Sequence, residues 1–158
     1  MANMEVTLHY DVFDSAASLP EADAVLLAAA LSATAQSYSP YSRFRVGAAA
    51  RMVSGEIVSG SNQENASYPV GICAERTLLS VASSLYPGVG ISALAVTAAS
   101  TTEPVRPCGI CRQSLLEFQG RTGQPIRLIM GGATGPVWVL EDAGGLLPLA
   151  FTTDNLLP

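Results

Sequence analysis

Three cysteines constrain this 158-residue chain more than any other feature: Cys73, followed by Ala74 and Glu75, then Cys108 and Cys111 in the run Pro107-Cys108-Gly109-Ile110-Cys111. This spacing lets three thiolates hold one Zn²⁺ with a fourth position open for water. For that, the segments around residues 73 and 108 must fold against one another. The Glu75 carboxylate, two residues beyond the first thiol, is then placed to move the water's protons. Blander readings compete: free thiols pack as small hydrophobes, and C-x-x-C alone also serves redox pairs and half-knuckles of structural zinc. A closed structural site needs four protein ligands, and His9, in an alternating N-terminal run, is the remaining candidate. The C-A-E and P-C-x-x-C surroundings favour the open, catalytic site.

Length points to one domain over residues 1–158, with residues 1–21 as an N-terminal arm to which the sequence assigns no role. No apolar run reaches the roughly 18 residues of a membrane span. Met1-Ala2-Asn3-Met4-Glu5 lacks the basic and apolar regions of a signal peptide. An odd number of thiols fits a reducing compartment, so a cytoplasmic location without a membrane partner is expected. The chain has no lysine, its eight basic residues are arginines between Arg43 and Arg127, and only acids precede them. With a net charge of −5 and no basic run, the composition argues against a nucleic-acid partner. It leaves room for a free nucleoside, which carries no phosphate.

Periodicity and turn residues give the element order. Val6 to Phe13 alternates like a short strand or arm, and Ala22 to Gln36 reads as a first helix. A Pro-punctuated loop over Ser37 to Ser42 leads to a hairpin, Val46 to Val53 and Glu56 to Ser59, with Ser54-Gly55 at its turn. Asn62 to Val70 is polar and irregular, and a second helix spans Cys73 to Leu85. The apolar run Ile91 to Ala98 suits a buried strand, and a third helix runs from Cys108 to Phe118, between Pro107 and Gly120. Two further strands, Ile126 to Met130 and Val137 to Leu140, precede a short C-terminal segment. The pattern is α/β, with helices layered on both faces of a sheet of about five strands.

On this reading Cys73 and Cys108 each open a helix, where the dipole and unpaired N–H groups favour thiolate. Cys111 lies one turn beyond Cys108 on the same helical face. Three thiolates on Zn²⁺ leave a net negative site, so positive partners should offset the sulfur charge. Arg76 and Arg112, each directly after a motif residue, are the candidates, with a surface ion pair as the competing role. Asn62 and Glu64, taken by themselves, read as residues that cap or brace the loop ahead of the Cys73 helix.

Five motifs in order resemble the small, single-domain cytidine deaminase family, from about Tyr38 to Phe151. They are Tyr38 to Phe44 with Val46-Gly47-Ala48-Ala49; Asn62 to Pro69; Ile72-Cys73-Ala74-Glu75-Arg76-Thr77; Pro107 to Gln113; and Leu146-Leu147-Pro148 with Ala150-Phe151. The resemblance implies a three-layer α-β-α sandwich with a mixed five-stranded sheet. It implies zinc held by Cys73, Cys108 and Cys111, Glu75 as the proton shuttle, and Arg76 and Gln113 supporting the site. It also implies a nucleoside cradle: Asn62 and Glu64 on the ribose, Phe44 against the pyrimidine, and Ala66 and Tyr68 in the binding loop. Phe151 would reach the active site of a neighbouring subunit in a homotetramer. The implied activity is hydrolytic deamination of cytidine and deoxycytidine in pyrimidine salvage, with Glu75 shuttling protons from water to N3 and then to the leaving amine. A deaminase of another amino-heterocycle, and a zinc-stabilised binding module without turnover, are the alternatives. Three positions depart from the family pattern: the long arm before Ala22, Gln63 where an aliphatic residue is common, and Arg106 where a small residue is frequent.

Overall fold

The computed structural model describes residues 1–156. Six strands and three α-helices follow in the order β1 (Asp11–Phe13), α1 (Glu21–Ala33), β2 (Val46–Met52), β3 (Ile57–Ser61), α2 (Ala74–Leu85), β4 (Ile91–Ala98), α3 (Gly109–Thr122), β5 (Arg127–Met130) and β6 (Val137–Leu140). The sheet order is β1-β6-β5-β4-β2-β3, with β4 and β5 parallel and the other pairs antiparallel. The sheet is mixed as expected but has six strands rather than five. The extra strand comes from the arm: Asp11, Val12 and Phe13 pair with Val139, Trp138 and Val137 and cover the edge that β6 would otherwise expose.

Side chains alternate between two apolar layers, as the two-residue period of a strand requires. Ala49, Ala93, Ala95, Ile129, Val137 and Val139 pack against Leu26, Leu27 and Ala30 of α1 on one face. Ala48, Ala50, Leu94, Val96, Leu128 and Met130 meet Ala74, Leu78 and Ala82 of α2 and Leu115 and Phe118 of α3 on the other. A three-layer α-β-α sandwich results. Asp23, buried in the first turn of α1, is paired with Arg127 of β5 at 2.9 Å, and Arg127 also contacts Glu141. None of the helices among the described residues is long and apolar enough to cross a membrane.

Element ends follow local chemistry. Helix α1 stops at Ala33 and tightens into a 3-10 turn over Thr34–Gln36, where the Thr34 hydroxyl donates to the Leu31 carbonyl. Gly55 supplies the positive φ (105°) of the β2–β3 hairpin. Helix α3 runs past the expected stop at Phe118 to Thr122: Gly120 meets open space and is tolerated, and Gly123, at φ 64°, provides the left-handed terminus.

Close approach between α2 and β3 depends on Gly60. A Cβ there would stand 2.6 Å from the Leu78 amide nitrogen and 2.9 Å from the Ala74 carbonyl oxygen, so the helix would have to move. Gly60→Ala is expected to cost about 1–3 kcal/mol through overpacking and to lower the melting temperature by several degrees. A calorimetric melting temperature equal to that of the wild type would show that the helix yields without cost.

Candidate metal centre and cavity

The two helices on the same face begin at the two halves of the cysteine motif. Cys73 is the N-cap of α2, Cys108 is the N-cap of α3, and Cys111 lies in the first turn of α3. Capping residues have extended backbone, here ψ 155° and 167°, and neither sulfur accepts a hydrogen bond from the amides of its own helix. The Sγ atoms of Cys73 and Cys108 are 3.8 Å apart and those of Cys108 and Cys111 3.4 Å, and all three lie within 4.8 Å of one another. Zn–S bonds of about 2.3 Å at tetrahedral angles place sulfurs about 3.8 Å apart, so the donor set fits one zinc ion. All three cysteines are free thiols, and His9, exposed on the arm, is not part of the cluster.

The thiols act on one another and on Arg76. The hydrogen bond from the Cys111 thiol, with help from the Arg76 guanidinium and the Cys108 thiol and against the effect of burial, brings Cys73 down to about 5. Holding that hydrogen bond, and buried, Cys111 is pushed up. Arg76 stands 4.0 Å from the Cys73 sulfur through Nη2 and donates to the Gly71 carbonyl at 3.2 Å. Arg112 does not reach a sulfur. Its Nε donates to the Pro107 carbonyl at 2.9 Å and its Nη1 to the Leu146 carbonyl at 3.3 Å, so it ties the second cysteine turn to the C-terminal segment. Gln113 likewise points to that segment, donating to the Phe151 carbonyl at 3.0 Å.

Glu75, in the first turn of α2, is 4% exposed. Burial, reinforced by the Cys73 charge, raises its pKa above the usual carboxylate range. A carboxyl whose proton affinity is raised by burial holds a proton more readily than an exposed one.

Beside the cluster lies a cavity of about 420 Å³ whose lining includes Phe44, Asn62, Glu64, Tyr68, Cys73, Glu75 and Cys108. The loop carrying Phe44 is held from below. Asn62 donates to the Phe44 carbonyl at 2.9 Å and accepts from the Val46 amide at 2.9 Å and the Ser37 hydroxyl at 2.6 Å. Glu64 accepts from the amides of Tyr41 and Ser42 at 2.9 and 3.2 Å and from the Ser42 hydroxyl, which lowers its pKa. Bracing is therefore a role that both residues fill. Gln63 bonds to Gln36 and Ser61 at its side-chain nitrogen, on the framework of the fold.

Two expected residues do not line this cavity. Ala66 lies on the exposed loop beyond it, and Phe151, 58% exposed, lines a separate cleft with Thr152 and residues of α3. Ser42 is the contributor that the sequence left without a role. It donates to Glu64 and accepts from the Phe44 amide at 3.0 Å, and the signal available was its place within the Tyr38 to Phe44 motif. Val105 and Arg106 also line the cavity.

Comparison with known proteins agrees with this geometry. The model of the cytidine and deoxycytidylate deaminase zinc-binding region matches residues 20–123. A cytidine deaminase of Sporosarcina psychrophila is 48% identical over 133 residues, covering 83% of this chain and 92% of that one. One of Halalkalibacterium halodurans is 39% identical over 132 residues, 84% of this chain and 96% of the relative. The crystal structure of cytidine deaminase from Burkholderia pseudomallei superposes with a TM-score of 0.72 at 40% identity, covering 80% of this chain and 97% of that chain.

Metal analysis of the purified protein is expected to give one zinc per chain, and Cys108→Ser and Cys111→Ala each to lose it. Melting temperature should fall with zinc content, because metal affinity contributes to folding free energy. Full zinc occupancy in either variant would remove that sulfur from the ligand set.

Proposed function

Because the chain belongs to the cytidine deaminase family, we propose that Cys73, Cys108 and Cys111 hold its zinc cofactor and that Glu75 carries the protons of the reaction. The reaction is the hydrolytic deamination of cytidine, which we extend to deoxycytidine. One observation carries the assignment: three sulfurs at two helix N-termini converge beside a buried carboxylate in the wall of a nucleoside-sized cavity. Zinc, when bound, supplies Lewis acidity that lowers the pKa of water. Glu75 accepts one proton of the attacking water and gives it to N3 of the base to make C4 electrophilic, then takes the remaining proton of the added hydroxyl and passes it to the departing amino group. Cytidine and water thus become uridine and ammonia, with the carboxyl ready for the next turnover. Arg76, beside the Cys73 sulfur, offsets thiolate charge, while Gln113 supports the site through the Phe151 segment.

The substrate residues follow from the cavity. Phe44 packs on the pyrimidine, and Asn62 and Glu64 meet the ribose hydroxyls in addition to bracing their loop. Each Glu64 oxygen already accepts within the protein and keeps capacity for a hydroxyl donor. Tyr68 and Ala66 belong to the loop that closes over the sugar. In support of a homotetramer with shared sites, Phe151 is exposed and stands outside its own subunit's cavity. The reading takes residues 1–158 as one deaminase domain, although its last two positions lie outside the described residues, with the arm of residues 1–21 as part of it. It places the enzyme in the cytoplasm, in pyrimidine salvage, with a small nucleoside as partner and neither nucleic acid nor membrane.

Glu75→Gln is expected to keep zinc and fold while slowing cytidine loss, followed by ultraviolet absorbance, by at least about 10²–10⁴-fold. A rate near that of the wild type would take the proton transfers away from Glu75. Phe151→Ala should leave assembly and zinc in place and raise KM for cytidine about tenfold, the scale of a base stacked on an aromatic ring. A fully active monomer, or unchanged kinetics in Phe151→Ala, would rule out the shared site.

A further inference from the structure

The arm reaches the cavity wall through three side chains. Pairing of Val12 with Trp138 fixes the chain just ahead of it, and Tyr10 stacks on Trp138 with ring centroids 5.2 Å apart and planes tilted by 38°. The Arg106 guanidinium carbon lies over the same indole, 5.2 Å from its centroid. Arg106 is in turn part of the cavity wall with Val105 and Cys108, and it is the only basic residue in that lining. The wall backbone is secured on either side of it, by the Val105 amide donating to Gly131 at 3.2 Å and by Arg112 on the Pro107 carbonyl.

The same cavity presents the carboxylates of Glu64 and Glu75 and the sulfurs of Cys73 and Cys108. A guanidinium on a flexible stem is drawn to such groups, and Arg106 forms no ion pair among the described residues. Stacking on an indole holds a guanidinium in place at small entropic cost. We propose, on the basis of the cytidine deaminase reading, that the N-terminal strand is a positioning device: Tyr10 and Trp138 park Arg106 against the wall and keep its charge off the carboxylates that substrate and proton transfer use.

Released Arg106 would compete with substrate. In the zinc-loaded full chain, Tyr10→Ala and Trp138→Leu should each raise KM for cytidine roughly two- to tenfold with kcat unchanged, the scale of one aromatic or cation–π contact. Tyr10→Phe should behave as wild type. Adding Arg106→Ala to Tyr10→Ala should return KM to within about twofold of the wild type, a suppression that general destabilisation would not show. Trp138 is the only tryptophan, so its emission reads the stack without substrate and should shift in both Tyr10→Ala and Arg106→Ala. Emission unmoved by either substitution overturns the stack whatever the turnover. Wild-type turnover with KM unmoved in Tyr10→Ala, or raised and not restored by Arg106→Ala, overturns the parking role and leaves the deaminase reading intact.

Discussion

The structure depends on the meeting of two helix N-termini. Strand β2 is antiparallel to both β3 and β4, so β3 and β4 run the same way, and β4 is parallel to β5. The segments β3-α2-β4 and β4-α3-β5 are therefore two successive crossovers that step across the sheet in one direction. Crossovers of one hand stepping one way place their helices on one face, where α2 and α3 share a core. Both helices also begin at the same end of the sheet, beyond the carboxyl ends of parallel strands, where open α/β sheets bind ligands. The cysteines occupy the first positions of those helices. Two segments 35 residues apart thus converge because the strand order puts their starting points side by side.

That convergence gathers negative charge, and the fold manages it with few cations. Two helix dipoles point their positive ends at the sulfurs, and Arg76 stands beside Cys73. Glu75 sits among these groups and is buried, which moves its proton affinity upward and distinguishes it from Glu64, whose carboxylate is held ionised by Ser42 and two amides. Two carboxylates in one cavity thereby acquire different characters from their surroundings, one suited to proton transfer and one to accepting hydroxyl donors.

The metal centre was legible because its chemistry lies in short segments: each cysteine cap and Glu75 occupy one helical turn, and the spacing dictates their common face. The three helices and the central strands were legible for the same local reason, through period and punctuation. Partnerships across the sheet were not. Nothing in Asp11-Val12-Phe13 names β6 as its neighbour, so the sixth strand was hidden inside a run that reads equally well as an arm. Gly120 looks like a helix stop in one dimension, yet its outward position lets α3 continue to Thr122. Arg112 looks like a sulfur partner by adjacency, but its side chain swings back to Pro107 and Leu146. Adjacency in sequence fixes where a backbone is, and a long side chain then finds its acceptors elsewhere.

The distribution of exposed apolar side chains bears on assembly. Tyr41 and Tyr68, 49% and 76% exposed, lie with ring centroids 6.0 Å apart beside the cavity, and Phe44, 40% exposed, lines it. Ile110, between the two cysteines of α3, is 64% exposed, and Phe151 is tied by its carbonyl to Gln113 of the same helix. Scattered exposed hydrophobes need no explanation, but neighbouring ones are the kind of surface that binds a ligand or another protein. Such side chains are consistent with the proposed assembly, in which a neighbouring subunit would add to the cavity wall.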